Sequence, residues 1–553
     1  MNSTIFMRLG LGRLAGTGLA TGLGLVAALA VAPISLPAQS TPVPQLFHTS
    51  DQCIACHNQL TAPNGEDVSI GFEWRSSMMG NAGRDPYWMA AVRRESRDHP
   101  AANDVIEDKC TVCHLGMART TAVAMGGQGR AFENFPVLGA GGPHTELALD
   151  GVSCTVCHQI QNVKLGERDG FTGGYTIETR TPMGERAVFG PFSVDAGRTH
   201  LMRSASEFTP EQATHIQDAA FCANCHTLFT HALDAEGNEA GELAEQAPYL
   251  EWLHSDYPGE ATCQDCHMPV VEGEMSVTSV LPNPRSGVNR HSFRGGNFLM
   301  PRILNRNRAQ MAVTALPQEL EETASAAEEN LATRSASLAV SPVGLSEGRL
   351  EVDITVTNLA GHKLPSAYPS RRAWLHVTVV DGGGRAVFES GAFRPDGSIS
   401  GNDNDADGSR FEPHYARITA ADEVQIYEDI MVDYAGEVTT GLLWGVEYVK
   451  DNRLLPQGFD KATASEDVAV RGAAAQDTDF SGGSDRIRYA VSVGSGAGPY
   501  TVVAELWYQP IGYRWAVNLG EYDTAESAQF KGFFDEVSSS SAALLARSEG
   551  VVR

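Results

Sequence analysis

The sequence predicts an α+β multidomain chain, and three observations carry that prediction. All ten cysteines lie between Cys53 and Cys266, in text rich in Gly, Pro, Asn and Asp that leaves room only for short helices. Beyond Cys266 there is no cysteine, and the hydrophobic period changes to strict alternation, as from Leu350 to Val356. With 553 residues, 42% of them hydrophobic, the chain is long enough to bury more than one core.

Residues 1–38 read as a secretory signal peptide. Arg8 and Arg13 precede a Gly/Ala/Leu/Val run from Leu14 to Val31, no acidic residue occurs before Asp51, and the stretch leaves through Pro33 and Leu36-Pro37-Ala38. No cysteine stands near that exit, so a lipid anchor is not expected. No later apolar run reaches membrane-spanning length, so the processed protein is expected in the periplasm or at the cell surface of a bacterium, not as an integral membrane protein. Lys plus Arg total 41 against 68 for Asp plus Glu, a net charge of −27. That balance excludes a nucleic-acid partner, which needs basic surface.

Residues 45–300 hold the chemistry. The cysteines pair as Cys53-x-x-Cys56-His57, Cys110-x-x-Cys113-His114, Cys154-x-x-Cys157-His158, Cys222-x-x-Cys225-His226 and Cys263-x-x-Cys266-His267. Two thiols one helical turn apart can add to the two vinyl groups of one porphyrin, and the adjacent histidine then sits under the iron. Zinc sites and thioredoxin-like pairs use C-x-x-C without requiring histidine after every pair. Five pairs, each followed by histidine and with no cysteine left over, therefore predict five covalent c-type haems. Their spacing is irregular, so this is no simple repeat.

Eleven further histidines are available as distal iron ligands. His99, His144, His215 and His291 lie before or between motifs in polar loops and are preferred. His48, His200 and His254 stand in reserve, and His376, alternating within an apolar strand, reads as structural. A histidine supply of this size favours bis-histidine ligation over methionine.

Residues 301–336 read as a helical connector, with Pro317 opening a Glu/Ala-rich segment. Residues 337–515 carry strands at Leu350–Val356, Ala373–Val380, Tyr489–Val493 and Thr501–Tyr508, and predict an all-β immunoglobulin-like sandwich. Residues 516–553 read as a C-terminal helix and tail, the helix over 521–548. In the Gly361-His362-Lys363-Leu364-Pro365 turn, His362 is a further candidate ligand reaching back to a haem. Asp403, Asp405 and Asp407, ahead of Gly408, copy the opening of a calcium loop, although His414 occupies the twelfth position where that loop has Glu.

With these motifs in hand, the chain resembles the multihaem cytochrome c family related to cytochrome c554. The resemblance rests on Trp74-Arg-Ser-Ser-Met-Met79 with Arg84-Asp-Pro-Tyr-Trp88, on Gly151-Val-Ser-Cys-Thr-Val-Cys-His158, and on Glu251-Trp252 followed by Cys263-Gln-Asp-Cys-His-Met-Pro269. His291-Ser-Phe-Arg-Gly-Gly-Asn297, Gly361-His-Lys-Leu-Pro365 and Arg371-Arg-Ala-Trp374 extend it over most of the processed chain. It implies electron transfer between redox partner proteins through close-packed haems, with His291 and His362 as ligands. A multihaem oxidoreductase acting on a small nitrogen or sulfur oxyanion at one open-site haem is the alternative. A homo-oligomer or filament of the cytochrome, or a subunit docked to a membrane complex through the sandwich, is compatible with electron transfer.

Overall fold

In the computed structural model, residues 45–135, 141–494 and 498–553 are described, and the expected signal peptide lies outside them. Each cysteine motif sits on a short helix: Ser50–Ile54, Asn103–His114, Cys154–Cys157, Ala219–His226 and Cys263–His267. One turn of helix puts positions i and i+3 on a common face, so both cysteines of a pair point the same way. Local caps set where these helices begin. The Asp218 side chain accepts from Ala220 N, and Thr262 and Asp265 cap each other's backbone reciprocally.

Between the motif helices the chain is irregular. Two small ribbons interrupt it: β1 (Arg186–Gly190) with parallel β2 (Phe208–Gln212), and β3 (Leu228–Leu233) with antiparallel β4 (Glu239–Gln246). The helices Leu299–Arg306 and Pro317–Arg334 follow, and the Arg75–Glu319 ion pair at 2.8 Å ties the latter to the first motif's region.

Two sheets follow. The first is built from β5 (Ala336–Ser346), β6 (Arg349–Asn358), β14 (Ser484–Ser492) and β9 (Arg417–Ile418), with β9 and β14 parallel. The second runs β10 (Ile426–Tyr427), β7 (Arg372–Val380), β15 (Tyr500–Gln509) and β16 (Ala543–Val552), with β8 (Ala386–Ser390) on β7. A third, smaller sheet joins β11 (Asp429–Val432), β12 (Val438–Thr439) and β13 (Glu447–Asp451). Strand β6 buries Leu350, Val352, Ile354 and Val356 and turns Glu351, Asp353 and Thr355 outward, the alternation read from the sequence. His376 is structural, as expected: it lies on β7 between Glu389 at 3.0 Å and Glu505 at 3.2 Å.

The main apolar core lies between the two large sheets and runs on into the helix Pro86–Asp98. That core reaches the second motif through Trp88, Ile106, Leu115 and Ala118, and smaller clusters, such as Leu60, Val68, Val271, Met275 and Val288, lie elsewhere in the motif region. The β part also grips the motif region directly. Glu95 accepts from the backbone N–H of Leu442 and Leu443 at 2.9 and 3.2 Å, Arg94 donates to Thr440, and Arg93 pairs with Glu526. All described residues accordingly belong to one structural unit.

Two expectations are corrected. The closing helix ends at Val537, and Ala543–Val552 is strand β16 on β15, because an open sheet edge recruits a chain whose helix propensity is only a weak preference. The Asp403, Asp405 and Asp407 loop does not gather its carboxylates round a cation. Asp405 is buried and takes both guanidinium nitrogens of Arg372 at 2.7 and 3.0 Å, Asp403 pairs with Arg410, and Asp407 accepts from Ser409. Among the described residues, His414, Asp477 and Asp485 do come close together, but Gln425 and Asn452 both donate amide N–H to His414 Nδ1. The ring proton therefore sits on Nε2, facing Asp477, and occupies the position a metal would need.

Asp405→Ala leaves Arg372 as a buried unpaired charge and is expected to lower stability by about 3–5 kcal/mol. A fall in the urea midpoint that added calcium does not reverse is the expected result, since calcium is not what holds the loop.

Candidate cofactor site

All five motifs line one cavity of about 2300 Å³, every one of the ten cysteines and five motif histidines included. Pockets for a single small organic ligand run at about 300–1,000 Å³, so this space is of the size for several. The thiols are free, and they lie side by side from motif to motif: Cys53 with Cys154, Cys113 with Cys225, and Cys222 with Cys263. The first and third motifs thus abut, as do the second, fourth and fifth, and Cys157 stands near Cys222 and Cys225 to link the two groups.

Four of the five motif histidines share one arrangement. The Nδ1 of His57 faces Val277 O at 2.7 Å, that of His114 faces Ala82 O at 3.2 Å, that of His158 faces Phe189 O at 2.6 Å, and that of His267 faces Arg294 O. Each backbone carbonyl accepts the Nδ1 proton, which fixes the tautomer and leaves the Nε2 lone pair free for a metal. Burial disfavours the charged rings, holding His114 and His226 at about 4, and it lowers His57, His158 and His267 as well. Neutral imidazole is the form that binds metal.

Three more histidines line the cavity: His231, which pairs with Glu239 and Glu242 at its exposed edge, His291 and His362. The ring of His291 stands 6.4 Å from that of His158 with planes 19° apart, and the ring of His362 stands 6.2 Å from that of His267 with planes 10° apart. Rings in face-to-face contact would be much closer. Two imidazoles bound to one metal through bonds of about 2.0–2.1 Å, with ring centres about 1.1 Å behind each nitrogen, stand roughly 6.3 Å apart. The donor set therefore fits an iron held between each pair. Burial and the neighbouring His158 press His291 down to about 3.

His99, His144 and His215 are not among the residues that line the cavity. His99 is buried against Trp444 with ring centres 4.3 Å apart, His215 gives Nε2 to the Ile160 carbonyl at 2.9 Å, and His144 precedes the helix Thr145–Leu149. Among the described residues, no histidine ring pairs with His57, His114 or His226. Trp88 stacks face to face on His114 at 4.4 Å.

Several residues here escape a sequence reading. Glu73 accepts the backbone N–H of His291 at 2.8 Å and pairs with Arg290, and Glu251 accepts the N–H of Lys363 at 3.1 Å. The one shared signal is that each precedes a tryptophan, Trp74 and Trp252. Glu95, Glu245, Tyr87 and Tyr368 also line the cavity, with both carboxyls near Cys110. Burial pushes Glu245 up to about 7, against hydrogen bonds from Thr230 and Gln246.

No family model and no curated protein matches the chain. One solved structure does, the penta-haem cytochrome c552 from Thermochromatium tepidum, with a TM-score of 0.52 over 91% of this chain and 99% of that one, at 14% identity. The two proteins share a fold. That likeness spans the motif region and both sheets alike, so the cysteine-free half is part of the shared architecture.

Folded Glu245 keeps its proton to about 7, whereas an exposed glutamate releases it near about 4.3. The folded state binds the extra proton, so the stability from this site declines as pH rises between those values. A protonated-carboxyl infrared band at pH 6, fading across pH 7 and weakened by one carboxyl in Glu245→Gln while Asp429 and Asp485 still contribute, is the expected signature.

Proposed function

We propose that the chain is an exported pentahaem c-type cytochrome that carries electrons between redox partner proteins. The observation that carries this reading is one cavity lined by all five C-x-x-C-H motifs, with two imidazole pairs at metal-bridging distance. Bound haem supplies the one-electron chemistry. The ten cysteines hold it covalently, which suits a protein that leaves the cytoplasm. His57, His114, His158, His226 and His267 would serve as proximal ligands, with His57, His114, His158 and His267 oriented by the carbonyls behind them. His291 and His362 serve as distal ligands opposite His158 and His267. The neighbouring motifs would hold their cofactors close to one another, in a cavity lined mainly by apolar side chains. No described helix is long and apolar enough to cross a membrane. The charge of −27 lowers the haem potentials and selects partners with a basic face.

A second reading has a specific observation in its favour. His57, His114 and His226 lack a facing imidazole among the described residues, and Glu95, Glu245, Tyr87 and Tyr368 stand beside the second motif. A haem with one open side next to proton-holding groups would suit an oxidoreductase of a small nitrogen or sulfur oxyanion. Turnover of nitrite or hydroxylamine with a reduced dye, lost in Glu245→Gln, distinguishes it from a pure carrier.

Pyridine haemochrome assay is expected to give five haems per chain. In oxidised protein, His291→Ala is expected to move one haem from a low-spin to a high-spin electron paramagnetic resonance signal, with all five retained. Electron delivery to a basic acceptor is expected to slow steeply as ionic strength rises past about 0.1 M, where the Debye length falls to about 10 Å.

A further inference from the structure

The turn that carries His362 is fastened from below by a group of fully buried charges. Lys363 Nζ pairs with Asp451 at 2.6 Å, and Arg453 reaches the same carboxylate at 2.7 and 2.9 Å. Arg453 also meets Glu251 at 3.1 Å and Asp429 at 3.3 Å. Glu251 comes from the helix Pro248–Leu253 of the motif region, Asp451 from β13, and Lys363 from the turn itself, so the group joins three segments far apart in the chain. Glu251 Oε2 then accepts both the backbone N–H of Lys363 at 3.1 Å and the Ser366 hydroxyl at 2.6 Å. Burial pushes Asp429 up to about 7, against the attraction of Arg453.

The same turn is clamped on its other side. Asn358 donates to the His362 carbonyl at 2.9 Å, Leu364 and Leu454 exchange backbone hydrogen bonds, and the His362 Nδ1 meets the Lys363 carbonyl at 2.8 Å. Buried ion groups cost desolvation and are weak contributors to net stability compared with apolar packing. Such a group is better suited to fixing a geometry. His291 repeats the device with different residues, its backbone N–H held by Glu73 while Glu73 pairs with Arg290.

We propose that Glu251, Arg453, Asp451 and Lys363 are positioning residues that hold His362 at the axial distance from His267. This rests on the reading of His362 as a distal ligand. The charge group defines the path of residues 362–366, and that path sets the reach of the imidazole. Removing a member loosens the turn, so the iron loses this ligand for part of the time while the remaining haems are untouched.

The experiment uses the full haem-loaded protein. Lys363→Met is expected to show a high-spin resonance of up to one haem in five at unchanged haem content, returned to low spin by added imidazole. Lys363→Arg is expected to retain the low-spin state. Ser366→Ala changes no charge and is expected to stay low-spin but to exchange its histidine for added imidazole or cyanide about tenfold faster at one haem, the effect of one lost charge-assisted hydrogen bond. His362→Gly is the reference. If it becomes high-spin while Lys363→Met and Ser366→Ala match the wild type, the positioning proposal is overturned and the ligand reading stands. If His362→Gly itself keeps every haem low-spin, the ligand reading fails and takes the proposal with it. Should Lys363→Met not accumulate, the Ser366→Ala exchange rate decides alone, an unchanged rate overturning the proposal.

Discussion

The hydrogen bond between a motif imidazole and a backbone carbonyl organises the first half of this protein. The acceptors belong to Val277 and Arg294 in irregular loops, to Phe189 in β1 and to Ala82 at the start of a single helical turn. Each bond pins one such segment to a short helix and turns the second ring nitrogen inward. Backbone in loops has to satisfy its polar groups somehow, and here that requirement also orients the ligand. Without these bonds neither the tautomer of the histidines nor the course of the loops between motifs would be defined.

The second half supplies what the first half lacks. The large continuous core of the sheets reaches the cavity wall through Trp88, Ile106, Leu331, Leu364 and Tyr508, and smaller apolar clusters complete the motif region. The motif region leans on that core through the helix Pro86–Asp98 and through the charged group around Arg453. Burying so many charges is expensive, and the arrangement makes sense as a means of registering two bodies against each other. Two glutamates, Glu73 and Glu251, do this at the two turns that carry His291 and His362. In each case one carboxylate binds a neighbouring arginine and the backbone beside the histidine, so charge balance and ligand position are set together.

The strengths and failures of the sequence reading follow from range. Strands such as β6 were legible because a half-buried strand imprints a period of two on its own residues. The five motifs were legible because the attachment chemistry demands cysteine and histidine at fixed short spacing. The Asp403, Asp405 and Asp407 loop misled because alternating carboxylates suit a cation equally whether it is calcium or a guanidinium, and Arg372 lies in a different strand. The C-terminal strand misled because Ala543–Val552 has no strong preference of its own and takes its form from β15. Among the histidines, His99, His144 and His215 had the polar surroundings expected of a ligand, yet only His291 and His362 enter the cavity with a partner ring.

The sequence by itself determined the cofactor chemistry, since residues that bond to one porphyrin must lie next to each other in the chain. It also determined that the cysteine-free half is largely β. Only the tertiary structure decided which imidazoles face each other, which motifs abut, and that a turn in the β half is held by a glutamate of the motif half. Those contacts join residues up to two hundred positions apart. Their geometry depends on how loops close and charges pair in the folded interior, and no local pattern in the chain encodes that.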